Sequence, residues 1–388
     1  MKKLIIITEI PSHYRLPVFN KIAKNKNFSL FVIYLKDNVR GRSWEIMWEE
    51  NKFDFIILKS FYITRKDGSN KYISLGVSNI LAKHDPDVII CDGYNHTASI
   101  EALIYSKRNN IRCLLRSESN VNDIRSNFFL LELIKKFLVR NFSGFISSGL
   151  FSREYLQSLG AKYEDIWIAP DSVENHWYKK CKYKKKSNKI IKLLFVGRIM
   201  EHKGIFNLLR AFKSINEDIL NDFQLTYIGD GNKTSELKDN VKKLKLKNVE
   251  LVDFIQPKKL AFEYSKHDIF IMPTLSDPWG LVVNEAMAAG LPIICSNKAG
   301  CSKDLVIDGW NGFVYEGSKI TDLKRCILEF HKDIDLIYKM GQNSQKLIAL
   351  YCSKNAANSI ISASLNQKNL VEEEINSFRL KHIGVEYE

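Results

Sequence analysis

The sequence predicts an α/β protein with two doubly wound domains, each built around a mainly parallel sheet. The chain of 388 residues is long enough for two such domains with separate cores. Short β-branched runs alternate with helical patterns in both halves, which is typical of repeated βα units. A lysine-rich stretch without glycine, residues 178–189, interrupts this alternation, and a second series of strands and helices follows it. These observations together favour two domains joined by a linker.

The first domain is placed at 1–180 and the basic linker at 181–190. The apolar run at 4–7 follows two lysines but is too short for the core of a secretion signal, so it predicts a first strand. Polar connections follow the strand ends, where parallel sheets bind ligands. The predicted strands lie at 3–8, 29–35, 54–57, 88–91, 112–116 and 144–147, with a last one near 166–172, and the predicted helices at 16–24, 72–82, 98–108 and 128–140.

The second domain is placed at 191–360. A polar helical tail, 361–388, is expected to pack back toward the N-terminal domain. The predicted strands lie at 192–197, 224–228, 249–251, 269–272, 292–295 and 312–314, and the predicted helices at 204–215, 234–244, 257–265 and 321–330.

Composition and charge narrow the class of protein. The content of 45% hydrophobic and 26% charged residues is typical of a globular protein, and no run approaches the roughly 18 apolar residues that cross a bilayer. The seven cysteines contain no CxxC pair, which suits a reducing cytoplasm and argues against structural zinc. Residues 1–188 hold 31 Lys and Arg against 19 Asp and Glu. This basic half indicates nucleic acid, anionic lipid or a phosphorylated acceptor as a partner, or simply a solvated surface.

The segment 276–300, SDPWGLVVNEAMAAGLPIICSNKAG, combines two acids with a helix N-terminus. Pro278 and Gly280 keep Asp277 outside the helix, whereas Glu285 falls inside it. An acid on the inner face of an apolar helix needs hydroxyl or backbone donors. The helix start at Gly280 and Leu281 offers free N–H groups to a phosphate. A phosphate seat flanked by two acids that bind hydroxyls indicates a nucleotide-sugar site.

A second group of residues supplies positive charge. Gly197 and Arg198 follow a predicted strand, and Lys203 comes just before the next helix. Arg198 can bind two phosphate oxygens and Lys203 adds a compact second charge, so together they would neutralise a diphosphate. An exposed basic turn is the alternative interpretation. Another predicted strand ends at Gly229, Asp230 and Gly231. These residues have two interpretations, a close approach of the backbone to a ligand or a plain tight turn.

The runs FVGRIMEHKGIFNLLRAF at 195–212 and YIGDG at 227–231, together with segment 276–300, resemble the large retaining glycosyltransferase family 4. The resemblance covers the C-terminal half in the expected order and is weaker in the N-terminal half. It implies a GT-B fold, in which two Rossmann-like domains face each other across a cleft.

The resemblance also implies roles for individual residues. Segment 276–300 matches the E-x7-E motif, with Glu285 at the position that binds ribose hydroxyls and Asp277 at the position that contacts the transferred sugar. Asp277 is one methylene shorter than the usual Glu, so we expect retained activity with a shifted sugar preference. Arg198, Lys203, Asp277 and Glu285 form the predicted catalytic set. The predicted donor contacts are Gly197, Gly229, Asp230, Gly231, Phe254, Ile255, Pro278, Trp279, Gly280, Leu281 and Val282.

The acceptor side is predicted in the first half. The turn after the first strand, which includes His13, Tyr14 and Arg15, resembles the one that approaches the donor phosphates or the acceptor, but it lacks the glycine-rich form. Arg116 or Glu118 occupies the place where many relatives carry a His at a strand end. His96 is an alternative site residue, although a lone His near a strand end more often has a structural role.

The run FFLLELIKKFLVRNF at 128–142 mixes apolar and basic residues. It has two interpretations, a core helix or a helix that rests on an anionic membrane. We expect the core helix.

The predicted function is retaining transfer of a sugar from a nucleotide diphosphate sugar, UDP-linked, to a glycan acceptor. We expect the acceptor to be linked to a polyprenyl diphosphate, the pathway to make a bacterial surface polysaccharide such as capsule, O-antigen or exopolysaccharide, and the protein to be cytoplasmic or peripheral on the inner membrane face. No cofactor or metal is expected. The alternatives are a GT-B epimerase or phosphorylase and, from another class, a basic nucleic-acid-binding α/β protein.

Overall fold

The computed structural model describes residues 1–37, 48–64, 70–123, 129–179 and 190–384. The chain divides into two compact units. The first domain combines Met1–Asp171 with Ser353–Leu380, and the second domain is Ser172–Cys352. The chain therefore leaves the first domain at Asp171, before the predicted basic linker. That linker, 181–190, lies outside the described residues except for Ile190.

In the described part of the first domain, one parallel sheet of seven strands has the order β3-β2-β1-β6-β7-β8-β9, and β4 and β5 pair in a separate antiparallel hairpin. Alternate residues of β1 point to opposite faces, so Ile5 and Ile7 join one core cluster while Leu4 and Ile6 join the other. Both faces are covered, which explains the continuous apolar strand sequences. The strands are β1 (Lys2–Thr8), β2 (Phe28–Tyr34), β3 (Asp54–Ile57), β4 (Phe61–Thr64), β5 (Asn70–Ile73), β6 (Val88–Asp92), β7 (Arg112–Ser117), β8 (Gly144–Ser147) and β9 (Ile166–Ile168).

One element of the first half differs from the sequence prediction. The predicted helix at 72–82 is instead the end of β5 followed by a shorter helix that begins at Val77. Tyr72 is fully buried in the strand, where it contributes to the core beside Ile33. The first-domain helices that precede the second domain are α1 (Arg15–Ala23), α2 (Val77–His84), α3 (Thr97–Arg108), α4 (Phe129–Val139) and α5 (Leu150–Ser158).

The second domain is built around a parallel sheet whose six described strands have the order β12-β11-β10-β13-β14-β15. Its strands are β10 (Ile191–Val196), β11 (Phe223–Ile228), β12 (Val249–Val252), β13 (Ile269–Met272), β14 (Ile293–Ser296) and β15 (Gly312–Tyr315). Its helices are α6 (Asn175–Tyr178), α7 (Ile205–Lys213), α8 (Glu217–Leu220), α9 (Thr234–Lys243), α10 (Pro257–Lys266), α11 (Leu281–Ala288), α12 (Ser302–Leu305), α13 (Ile320–Lys332) and α14 (Asp335–Ile348).

Two further helices, α15 (Ser353–Leu365) and α16 (Leu370–Ile383), follow the second domain. Helix α15 packs on α1 and completes the core on one face of the first sheet. In the described parts of the chain, no helix has the length and apolar character that crossing a membrane requires.

Each sheet reverses its strand order beside its first strand. In the first sheet β1 lies between β2 and β6, and in the second sheet β10 lies between β11 and β13. Doubly wound sheets bind ligands at the carboxyl ends of the strands that flank such a reversal. The candidate sites lie at these two strand-order reversals.

Candidate functional site

The loops at the carboxyl edge of the second sheet hold one another in place through backbone hydrogen bonds. The Gly197 N–H donates to the Ile228 carbonyl at 3.0 Å, and the Ile199 N–H donates to the Asp230 carbonyl at 2.7 Å. The run from Gly229 to Gly231 therefore packs directly on the loop that carries Arg198. The structure thus places these predicted donor residues side by side.

Lys203 and Asp277 meet at this edge. The Lys203 ammonium forms an ion pair with the Asp277 carboxylate, and the two side chains are only 14% and 13% exposed. The other Asp277 oxygen accepts the Trp279 backbone N–H at 3.2 Å. Gly204 makes this approach possible, because it has φ +71° and a Cβ there would lie 1.8 Å from the Pro273 carbonyl oxygen. Two residues predicted to contact different parts of the donor therefore form an ion pair with each other.

Arg198 is exposed at the same edge of the sheet, two residues after β10, and its guanidinium has no ion-pair or hydrogen-bond partner among the described residues. Trp279 is different, since its side chain is 3% exposed and its indole N–H donates to Asn284 Oδ1 at 2.9 Å. The Trp279 side chain therefore anchors the loop, and its backbone N–H is bonded to Asp277. Pro278, Leu281 and Val282 remain partly exposed, and Phe254, just after β12, is 40% exposed.

Glu285 lies inside α11 with no exposed surface. Its Oε2 accepts a hydrogen bond of 2.8 Å from the Tyr264 hydroxyl. Tyr264 is held in turn by an edge-to-face contact with Tyr178, with ring centroids 5.8 Å apart. This hydroxyl is the kind of donor that a buried acid in an apolar helix requires. The role of Glu285 as a ribose contact stays a prediction.

A second cluster lies at the carboxyl edge of the first sheet. Arg15 Nη1 contacts Asp92 Oδ2 at 2.5 Å, and Arg15 Nη2 contacts Glu118 Oε1 at 2.6 Å. Arg116 Nη2 contacts Asp171 Oδ1 at 2.7 Å, and its Nη1 lies 3.6 Å from Asp92 Oδ1. The structure thus brings three predicted acceptor-side residues, Arg15, Arg116 and Glu118, into one network. We name these five residues the arginine–carboxylate cluster.

The cluster contains three carboxylates and two guanidinium groups, so it carries one excess negative charge when all are ionised. Burial raises the pKa of Asp171 to about 7, and the charge of Glu118 adds to this rise while Arg116 opposes it. Burial acts to lower the pKa of Arg15, but the carboxylates of Asp92 and Glu118 outweigh it and raise that pKa. The cluster therefore has one carboxyl group that titrates near neutral pH.

The two predicted histidines occupy different surroundings. Burial lowers the pKa of His13 to about 4, and its ring lies 3.8 Å from the Tyr14 ring. His96 is 1% exposed, its Nε2 lies 3.1 Å from Glu9 Oε1, and its Nδ1 accepts the Tyr72 N–H at 3.4 Å. With Nδ1 accepting, the ring proton is on Nε2 and is donated to Glu9. His96 is thus paired with a partly exposed acid.

Sequence reasoning missed Glu9, Asp92 and Asp171. Asp92 is the last residue of β6, and Glu9 directly follows β1. Asp171 lies shortly after β9. Their positions at carboxyl ends of parallel strands were a usable signal. No group of three or more His, Cys, Asp or Glu that could hold a metal ion occurs among the residues the structure describes.

The fold defines the class of protein. Sucrose-phosphate synthase from Thermosynechococcus elongatus superposes with a TM-score of 0.71 at 17% identity, covering 94% of this chain and 99% of that chain. Anabaena HepE in complex with UDP superposes with a TM-score of 0.71 at 17% identity, covering 94% and 100%. At this identity the likeness concerns the fold alone. It confirms the GT-B type with two Rossmann-like domains.

The sequence of the second domain is similar to a known family. Residues 179–347 match the family of glycosyl transferases group 1. An uncharacterized glycosyltransferase of Methanocaldococcus jannaschii is 32% identical over 153 residues, 39% of this chain and 42% of that protein. The capsular polysaccharide biosynthesis glycosyltransferase CapM of Staphylococcus aureus is 29% identical over 193 residues, 49% of this chain and 48% of that protein. The matches span less than half the length of these relatives.

Proposed function

We propose that this chain is a retaining glycosyltransferase that moves a sugar from a UDP-linked donor to a glycan acceptor. One observation carries the proposal. Lys203 and Asp277 meet at the strand-order reversal of the second sheet, just ahead of the N-terminus of α11, and Arg198 lies on the same loop as Lys203. These residues lie within the span that matches the group 1 family. A UDP-linked donor is supported by HepE, a protein of the same fold solved with UDP and glucose.

The donor chemistry follows from the charges at this edge. Arg198 and Lys203 would bind the diphosphate and stabilise the negative charge that develops as it leaves. Asp277 holds the Lys203 ammonium in place, so it positions this cation as well as standing where a sugar hydroxyl is expected. Two cations at the diphosphate would serve in place of a divalent ion. We therefore expect transfer without added metal.

The acceptor oxygen forms a bond to the anomeric carbon on the face from which the diphosphate departs. The bond between that carbon and the phosphate oxygen breaks, and the acceptor proton passes to the leaving phosphate oxygen. This step depends on positioning and charge stabilisation more than on a strong protein base.

The acceptor is proposed to be a glycan linked to a polyprenyl diphosphate, used in surface-polysaccharide synthesis at the cytoplasmic face of the membrane. The name of CapM supports a surface polysaccharide as the product. Residues 1–188 carry an excess of 12 positive charges, which suits a phosphorylated lipid. In the arginine–carboxylate cluster, Glu118 is 37% exposed and Arg15 24%. These two side chains are the proposed contacts for acceptor hydroxyls.

Donor binding tests the site. We expect Arg198→Ala and Lys203→Ala to weaken UDP binding, measured by isothermal titration calorimetry, by at least about ten-fold, because each removes a charge-assisted contact. Arg210→Ala is the matched control, since Arg210 is an exposed arginine of the same domain whose guanidinium bonds its own helix. UDP binding that is unchanged in both site variants would place the site elsewhere.

Product analysis tests the reaction. The protein is incubated with UDP- and GDP-sugars and a polyprenyl-diphosphate-linked glycan, with and without EDTA, and the products are followed by NMR. We expect free UDP and a glycoside with the anomeric configuration of the donor. An inverted glycoside overturns the retaining assignment, and an epimerised free sugar made without acceptor overturns transfer itself.

A further inference from the structure

Helix α4 carries three large apolar side chains on the outside of the first domain. Leu133 and Ile134 are each 47% exposed, and Phe137 is 70% exposed. These residues share one helix face, because side chains three and four positions apart are neighbours. A helix of a globular domain normally turns such a face toward the core. Val139 and Phe142 of the predicted core helix at 128–142 do join the core, whereas this face of α4 does not.

The opposite side of α4 holds an ion pair. Lys135 Nζ lies 2.5 Å from Glu132 Oε1, and the two side chains are 25% and 32% exposed. Lys135 also reaches the hydroxyl of Tyr155, which is itself mostly buried. Val139 is the fully buried apolar anchor of this helix. The charged residues thus lie nearer the domain than the apolar ones do.

Cations border the exposed apolar face. Lys136 follows Leu133 by three positions, and the exposed Arg140 follows Phe137 by three. Glu132 is the only acid in the α4 sequence, and it is already paired with Lys135. The outward side of the helix therefore combines apolar side chains with the positive charges of Lys136 and Arg140.

The neighbouring helix α3 repeats this combination. Ile100 and Ile104 are 37% and 48% exposed, and Lys107 and Arg108 are exposed at its end. Helix α3 connects β6 to β7 and α4 connects β7 to β8, so consecutive right-handed crossovers place both on one face of the sheet. Buried residues of both helices belong to the same core cluster.

We propose that the outward faces of α3 and α4 dock the first domain on an anionic lipid bilayer. The proposal rests on the proposed function for its purpose, access to a lipid-linked acceptor, and on these two faces for its support. Short helices with apolar residues and bordering Lys and Arg lie in the membrane interface rather than across it. A second copy is a poorer occupant, because a two-fold interface on this face would bring the positive charges of both copies into one contact surface.

The test is co-sedimentation of the full chain with vesicles of phosphatidylglycerol and phosphatidylcholine in equal parts. Phe137→Ser is expected to weaken binding by about ten-fold through lost apolar burial. The pair Lys136→Gln with Arg140→Gln is expected to weaken it by about thirty-fold at low salt, through two lost contacts with the anionic surface. The matched controls are Phe262→Ser, 62% exposed on α10, and Lys242→Gln with Lys243→Gln on α9.

The expected result is binding to the anionic vesicles but not to phosphatidylcholine alone, with loss in the α4 variants and retention in the controls. Absence of binding by the parent, or equal loss in the controls, overturns the proposal. A concentration-dependent dimer that Phe137→Ser abolishes, without vesicle binding, also overturns it and makes a second copy the occupant. UDP binding in solution is measured in parallel and is expected to be unchanged. Failure of the parent to bind UDP would remove the donor assignment and leave the membrane assignment standing.

Discussion

Replacing Asp171 by Asn removes one buried carboxyl group from the arginine–carboxylate cluster while keeping an oxygen for Arg116. In the folded chain the pKa of Asp171 rises from the usual 3.8 of an Asp side chain to about 7, first because of burial and then because of Glu118. Between these values the folded chain holds a proton that the unfolded chain has lost. The free energy of unfolding therefore decreases as the pH rises through this window. The stability associated with the protonated carboxyl is complete below the unfolded pKa and is lost as the pH passes about 7.

The size of the effect follows from the same shift. A difference of about three pKa units at about 1.36 kcal/mol each gives a cost of up to about 4 kcal/mol for the ionised Asp171 above neutral pH. Asp171→Asn leaves two carboxylates against two guanidinium groups and carries none of this cost. The variant is therefore expected to be more stable than the parent at alkaline pH. At acid pH the two proteins are expected to be nearly equal.

The assay measures the Tm of the parent and of Asp171→Asn by calorimetry from about pH 5 to about pH 8. The difference in Tm between the two proteins is expected to grow as the pH rises through this range. Glu118→Gln provides a second arm, because it removes a charge from the same cluster at a side chain that is 37% exposed. Solvent screening makes its expected effect smaller. A parent and Asp171→Asn with parallel pH profiles would refute the reasoning. A variant less stable than the parent at alkaline pH would show that the Arg116 ion pair outweighs burial.

Two further predictions concern the second domain. Tyr264→Phe removes the hydroxyl bonded to the buried Glu285 and is expected to lower the free energy of unfolding by about 1–3 kcal/mol, measured in urea; an unchanged midpoint would mean that Glu285 finds another donor. Backbone strain alone at a left-handed position costs about 1–3 kcal/mol. Gly204→Ala is expected to lower the free energy of unfolding by more than this, because its Cβ would also meet the Pro273 carbonyl. Gly76→Ala is the matched control, with φ +87° and open space around it, and equal Tm losses for the two would contradict the steric contribution.

Local patterns account for what the sequence predicted correctly about the fold. The β-branched runs identified β1, β6 and β10 because a strand buried on both faces needs a continuous apolar sequence. The same reasoning failed at 72–82, where β5 ends and α2 begins within a few residues. A tyrosine at position 72 fits the apolar pattern of a helix as well as that of a strand, and the burial of Tyr72 depends on neighbours that are distant in the sequence. The sequence likewise predicted a doubly wound sheet but not the order of its strands, because strand pairing joins residues far apart in the chain.

The candidate site likewise has features that the sequence predicts and features that only the tertiary structure shows. The sequence by itself determined that Arg198 follows a strand, that Lys203 and Asp277 precede a helix, and that Glu285 lies inside one, because glycine, proline and apolar spacing specify these positions locally. Only the tertiary structure decided that Lys203 pairs with Asp277, that Tyr264 donates to Glu285, and that Asp92 and Asp171 join Arg15 and Arg116. It also decided that α4 turns Phe137 outward, since an apolar helical pattern does not specify which face the sheet will cover. Contacts between side chains of different βα units depend on strand order and register, and these are properties of the assembled sheet rather than of any one segment.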